Sequence, residues 1–153
     1  MRLGVAGLRR WISVMLMAGL EHKPRELFTT ALVRARMCEI LGPEKGVEPD
    51  AMFTIGLFSV LDAMFDRPLG HIVKELPLSK TIEDALLGAE GGAGAILRSV
   101  LVHEQGQWSD VDAGLTEPWL QALDWTRAML DTLGLQARVG PRRPTASLTG
   151  TSR

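Results

Sequence analysis

The 153-residue sequence has no tyrosine, one cysteine and three histidines, and only 5% of its residues are aromatic. A lone cysteine, Cys38, excludes an internal disulfide and favours a reducing, cytoplasmic setting. The formal net charge of -1 gives no overall field that would favour nucleic acid or an acidic membrane surface. The apolar run from Trp11 to Leu20 spans ten residues, too few to cross a bilayer, and no Ala-x-Ala cleavage site follows it. We therefore expect no membrane association.

Metal ligands are also scarce. His22, His71 and His103 fall on different predicted elements, with no pair four residues apart, and no His-Asp dipeptide occurs in the chain. Divalent-metal hydrolysis requires several such ligands to converge, so we expect no histidine metal site. Asp62 and Asp66 share a predicted helix face and could hold a cation together, although separate solvated or helix-end roles are favoured. The sequence thus predicts no catalytic, cofactor-binding or metal-binding residue, and no cofactor.

Other chemical motifs are weak. The glycines at 88, 91, 92 and 94 lack the preceding strand and the terminal Gly-Lys-Ser/Thr of a phosphate-binding loop, so they predict a tight connection between helices. The serines have no neighbouring histidine and acid in sequence, although a triad can assemble from distant residues. Cys38 lies on an apolar helix stripe and is expected to be buried. The four tryptophans are expected mainly in core or half-buried positions.

What the sequence does have is helical periodicity punctuated by Gly and Pro. It predicts seven helices and no strand, at approximately 5–20, 24–41, 49–65, 68–76, 79–87, 93–105 and 116–133. The third predicted helix is apolar nearly all round, which places it in the middle of a bundle. The last is expected to face inward through Trp119, Leu123, Leu130 and Leu133, with Gly134 as its cap. The composition changes after Gln136, so residues 1–136 are expected to form one domain and 137–153 a disordered tail.

An ordered set of motifs runs through residues 3–133 and resembles a known family. The motifs are Leu8-Arg9-Arg10-Trp11, Lys23-Pro24-Arg25-Glu26-Leu27 with Ala31-Leu32-Val33-Arg34-Ala35-Arg36, Gly56-Leu57-Phe58-Ser59-Val60-Leu61-Asp62-Ala63, Leu76-Pro77-Leu78-Ser79 with Ala85-Leu86-Leu87-Gly88, and Glu104-Gln105-Gly106-Gln107-Trp108. In this order they resemble the HDOD domain, as found in the C-terminal half of two-domain EAL-HDOD signalling proteins. HDOD domains are catalytically silent relatives of the HD-type metal phosphohydrolases.

The resemblance implies an all-α, HD-like (HDOD) bundle of about seven helices, incomplete at its N-terminal side. Where the HD-type enzymes have a metal-binding His-Asp pair, this chain has Ser59 and Val60. The implied function is a non-catalytic, regulatory protein-interaction domain in bacterial signal transduction, linked to cyclic di-GMP pathways. The implied partner is another protein or domain, such as an EAL domain. Helices missing from the N-terminal side would leave apolar surface bare on the first and third predicted helices, which predicts self-association.

Two alternatives stay open. An HD-like phosphohydrolase could use an atypical carboxylate metal site around Asp62 and Asp66. A nucleic-acid adaptor could act through the basic tail, which carries Arg138, Arg142, Arg143 and Arg153. The tail has no interleaved aromatic residue on which bases could stack, so nucleic acid is the less favoured partner.

Overall fold

The fold is an all-α bundle. The computed structural model describes residues 22–88, 91–106, 114–132 and 134, and all regular secondary structure within those ranges is helical. The described ranges contain seven α-helices, in order α1 Arg25–Leu41, α2 Pro49–Phe58, α3 Leu61–Phe65, α4 Leu69–Glu75, α5 Lys80–Leu86, α6 Gly92–Glu104 and α7 Thr116–Thr132, with a short 3₁₀ helix at Gly42–Lys45. This confirms the predicted class and approximate helix number. The first predicted helix, Leu133 and the tail 137–153 lie outside the described residues.

Prolines mark the starts of three helices, as the sequence predicts. Pro24 immediately precedes α1, Pro49 is the first residue of α2, and Pro68 immediately precedes α4. Proline suits these positions because its fixed φ fits the first turn and its missing N–H has no partner there. Ser79 occupies the N-cap position of α5, although its side chain makes no capping hydrogen bond.

The third predicted helix differs from the structure, because it is divided at Ser59 and Val60 into α2 and α3. The Ser59 hydroxyl donates to the carbonyl of Gly56 at 2.7 Å, and the Arg34 guanidinium lies 3.4 Å from the Ser59 carbonyl. Val60 has φ -106° and ψ 4°, outside the helical region. Local hydrogen bonding by the serine, reinforced by a distant arginine, therefore competes with helix continuation.

The α2 helix lies in the middle of the bundle, as its apolar character predicts. It packs mainly against α1 and also contacts α5 and α6. Two clusters of buried residues form the core: one joins α1, α2, α3 and α4, and the other joins α1, α2, α4, α5, α6 and α7. The large side chains that are fully buried include Leu32, Met37, Met52, Ile55, Leu57, Leu61, Met64, Val73 and Val100. The apolar surface predicted to be bare on this part of the chain is thus largely covered in the structure.

The α7 helix packs against α1 through small residues and one aromatic side chain. Ala122 and Thr126 are buried, and Trp125 is half-buried with its ring edge-to-face against Phe53, 5.9 Å between centroids. Arg36 of α1 lies over the same indole at 5.7 Å, a cation–π contact. Trp119 is also half-buried, so the two described tryptophans take the expected positions.

One prediction about α7 is wrong. Leu123 was expected to face inward, but 38% of it is exposed. The buried face runs through Ala122 and Thr126, one residue out of register with the predicted leucine stripe. Small side chains such as those of Ala122 and Thr126 let α7 approach α1 closely. The packing gained by this close approach exceeds what burying Leu123 would provide. No helix in the described ranges is long and apolar enough to cross a membrane.

Candidate functional site

The place where the resemblance implies a metal-binding pair holds a different arrangement, which we call the Arg34 cluster: Arg34, Ser59 and Glu104. Arg34 projects from the middle of α1, Ser59 lies at the break between α2 and α3, and Glu104 is the last residue of α6. The Arg34 Nη1 donates to Ser59 Oγ at 3.2 Å. The cluster therefore links three separate parts of the bundle.

Arg34 and Glu104 form a two-pronged ion pair. Nε donates to Oε2 at 2.8 Å and Nη2 donates to Oε1 at 2.9 Å. The two side chains are 17% and 28% exposed, so water reaches the pair only in part. Bidentate geometry makes this kind of pair more directional than a lysine pair and stronger than a typical surface contact.

A close helix crossing brings Arg34 to Ser59. Gly56 of α2 lies against the backbone of α1, and a Cβ placed there would be 2.5 Å from the Arg34 carbonyl oxygen and 2.6 Å from the Ala35 Cα. Ala31 and Ala35 are fully buried and add little bulk between the helices. Glycine and alanine at the contact thus set the short distance over which the guanidinium reaches the α2–α3 break.

The chemistry of the Arg34 cluster is that of a fixed cation. A guanidinium stays protonated at any ordinary pH and cannot ligate a metal. Glu104 already directs both carboxylate oxygens to it. Beside Ser59, Val60 is 2% exposed and contributes only methyl groups. The electrostatics at this point oppose a bound divalent cation.

The histidines do not converge. His22 and His71 are exposed, and His103 is buried at the end of α6, where its ring lies 5.2 Å from that of Trp119. Among the residues that the structure describes, no group of three or more histidine, cysteine or acidic side chains is arranged to hold a metal ion.

The two aspartates of the carboxylate alternative are engaged separately. Asp62 Oδ1 accepts the backbone N–H of Ala63 at 2.8 Å, a helix-start contact. Asp66 is the left-handed residue that ends α3, and it accepts a 2.6 Å hydrogen bond from Lys23 Nζ. Residues four apart share a face only within a continuous helix. Asp62 and Asp66 do not share one, because α3 ends at Asp66.

A third acid, Glu75, follows on α4. It is paired with Arg67, whose hydrogen bond and charge hold the pKa of the Glu75 carboxyl below its ordinary value. Glu75 is therefore held in its ionised form by a cation of the protein itself.

Cys38 is fully buried in the second core cluster, as predicted. Burial raises the pKa of its thiol from 9.0 to about 12, and the charge of Arg34 offsets only a part of this effect. The thiolate is the reactive form of cysteine, so Cys38 has the character of a packing residue.

The glycine-rich segment has a structural role that fits its prediction. It connects α5 to α6, two helices in contact with one another, and Gly88 and Gly91 have positive φ angles of 79° and 156°. Gly94 is buried in the first turn of α6. Residues 89 and 90 lie outside the described ranges.

Sequence reasoning missed the Arg34 cluster. Its two charged members, Arg34 and Glu104, are 70 positions apart, and the sequence around either residue gives no indication that the other is its partner. A signal was present in the small residues: Ala31, Ala35 and Gly56 predict a helix crossing, and Arg34 and Ser59 flank it. Glu104 had no comparable signal, because its position depends on how α6 packs against α1.

Two curated proteins are similar to this chain. It is 31% identical over 144 residues to the uncharacterized protein YuxH of Bacillus subtilis (strain 168), a match that covers 86% of this chain and 35% of YuxH. It is 32% identical over 113 residues to the cyclic di-GMP phosphodiesterase CdgJ of Vibrio cholerae serotype O1, covering 72% of this chain and 26% of CdgJ. The chain thus spans about a third or less of the length of these relatives.

No protein-family model matches the sequence, and no solved structure matches it. The similarity to CdgJ nevertheless connects the chain with a protein of cyclic di-GMP metabolism, in agreement with the general theme implied by the resemblance.

Proposed function

We propose that this chain is a non-catalytic HDOD-type domain that acts through protein contacts in a cyclic di-GMP signalling system. The proposal is supported by the ordered motifs of the sequence, the all-α bundle and the similarity to part of CdgJ. The part of the chain that matches CdgJ is a small fraction of that enzyme, which suits an accessory segment rather than a whole catalytic unit.

The observation that carries the proposal is the Arg34 cluster. A metal phosphohydrolase of the HD type needs a concentration of ligands around a cation. At the corresponding place this chain has a permanent positive charge that is already neutralised by both oxygens of Glu104. We infer that the ionic contacts here replace metal ligation as the means of holding α1, α6 and the α2–α3 break together.

The proposed partner is an EAL domain or a protein of the same pathway. An interaction domain requires a rigid scaffold with surface left free for contact, and the described helices leave Leu87, Val102, Leu120 and Leu123 exposed. These side chains offer the apolar contact area that interfaces use. A direct binding measurement tests the proposed partner.

Hydrolysis assays test the non-catalytic part. The purified full chain is incubated with cyclic di-GMP, and separately with bis(4-nitrophenyl) phosphate, in the presence of Mn²⁺ or Mg²⁺. We expect no hydrolysis above that of the buffer with metal. Metal-dependent turnover that disappears in the Asp62→Asn, Asp66→Asn variant, with helical circular dichroism retained, would favour the carboxylate enzyme instead.

Binding measurements test the interaction part. The full chain is titrated into CdgJ lacking its matched segment, with sedimentation velocity as the readout. We expect a complex, and we expect salt to weaken it little because apolar contacts dominate. Absence of a complex at the highest soluble concentrations would overturn the proposed partner. The same titration with a single-stranded oligonucleotide tests the adaptor alternative, for which steep salt dependence is the expected signature.

A further inference from the structure

We draw no further inference here: the strongest candidate, the largely apolar groove of about 470 Å³ between α1 and α7, carries none, because nothing in the part of the chain that the structure describes shows what covers it.

Discussion

At the scale of single residues, Gly56 decides how closely α1 and α2 approach. A Cβ at this position would lie 2.5 Å from the Arg34 carbonyl oxygen and 2.6 Å from backbone atoms of Ala35, neither of which can move aside as a side chain would. We therefore expect Gly56→Ala to lower the free energy of unfolding by about 1–3 kcal/mol, in spite of the better helix propensity of alanine. Urea denaturation monitored by circular dichroism measures the change.

Gly70 provides the matched control for Gly56. It also lies within a helix, α4, but an added Cβ there would contact only the Leu87 side chain, at 3.6 Å. We expect Gly70→Ala to be neutral or to stabilise by up to about 1 kcal/mol. If Gly56→Ala were also neutral or stabilising, α1 and α2 could not cross as closely as the structure shows.

At the scale of the helical elements, the Arg34–Glu104 pair connects α1 to the end of α6. A double-mutant cycle with Arg34→Met and Glu104→Gln isolates the coupling between the two side chains. We expect a coupling of about 1–2 kcal/mol, because the contact is bidentate and partly shielded from water. Urea unfolding of the four proteins provides the measurement.

The exposed pair Lys80 and Asp84 on α5 is the control cycle. Its side chains are 86% and 43% exposed, and a surface pair of this spacing contributes about 0.5 kcal/mol or less. A coupling at Arg34–Glu104 no larger than the control value would mean that the Arg34 cluster does not hold the elements together.

The helices themselves were largely predictable because their signals are local. Pro24, Pro49 and Pro68 mark helix starts through their own covalent geometry, and the apolar stripe of α1 follows from spacing alone. The break at Ser59 was not predictable in this way. It depends in part on Arg34, which is 25 residues away in sequence and is brought there by the packing of α2 on α1.

The candidate site depended still more on tertiary structure. The sequence pointed to Ser59 and Val60, but it left Glu104 without a role. For Asp62 and Asp66 it favoured separate helix-end roles over a shared cation, and the structure has that arrangement, because the helix ends at Asp66. The predicted register of α7 also depended on tertiary structure and was wrong, since the small residues Ala122 and Thr126 face α1 in place of Leu123.

At the scale of the whole molecule, self-association is expected to depend on the apolar side chains of the first predicted helix, residues 5–20. The third predicted helix, the other one expected to have bare apolar surface, is largely buried as α2 and α3. The apolar stripe Leu8, Trp11, Ile12, Met15, Leu16 and Leu20 then remains the basis for expecting self-association, which stays a prediction. Each Å² of apolar area left in water costs about 25 cal/mol, so a whole uncovered helix face is enough to drive association.

Light scattering across a concentration series tests this expectation in the full chain. We expect the mean mass of the wild-type protein to rise with concentration. We expect Leu16→Glu to reduce that rise, because a charge then interrupts the apolar stripe of the first predicted helix. Ser13→Glu is the matched control, since Ser13 lies outside that stripe, and we expect it to leave the rise almost unchanged. A wild-type mass that stays that of a single chain at the highest concentration would contradict the predicted self-association.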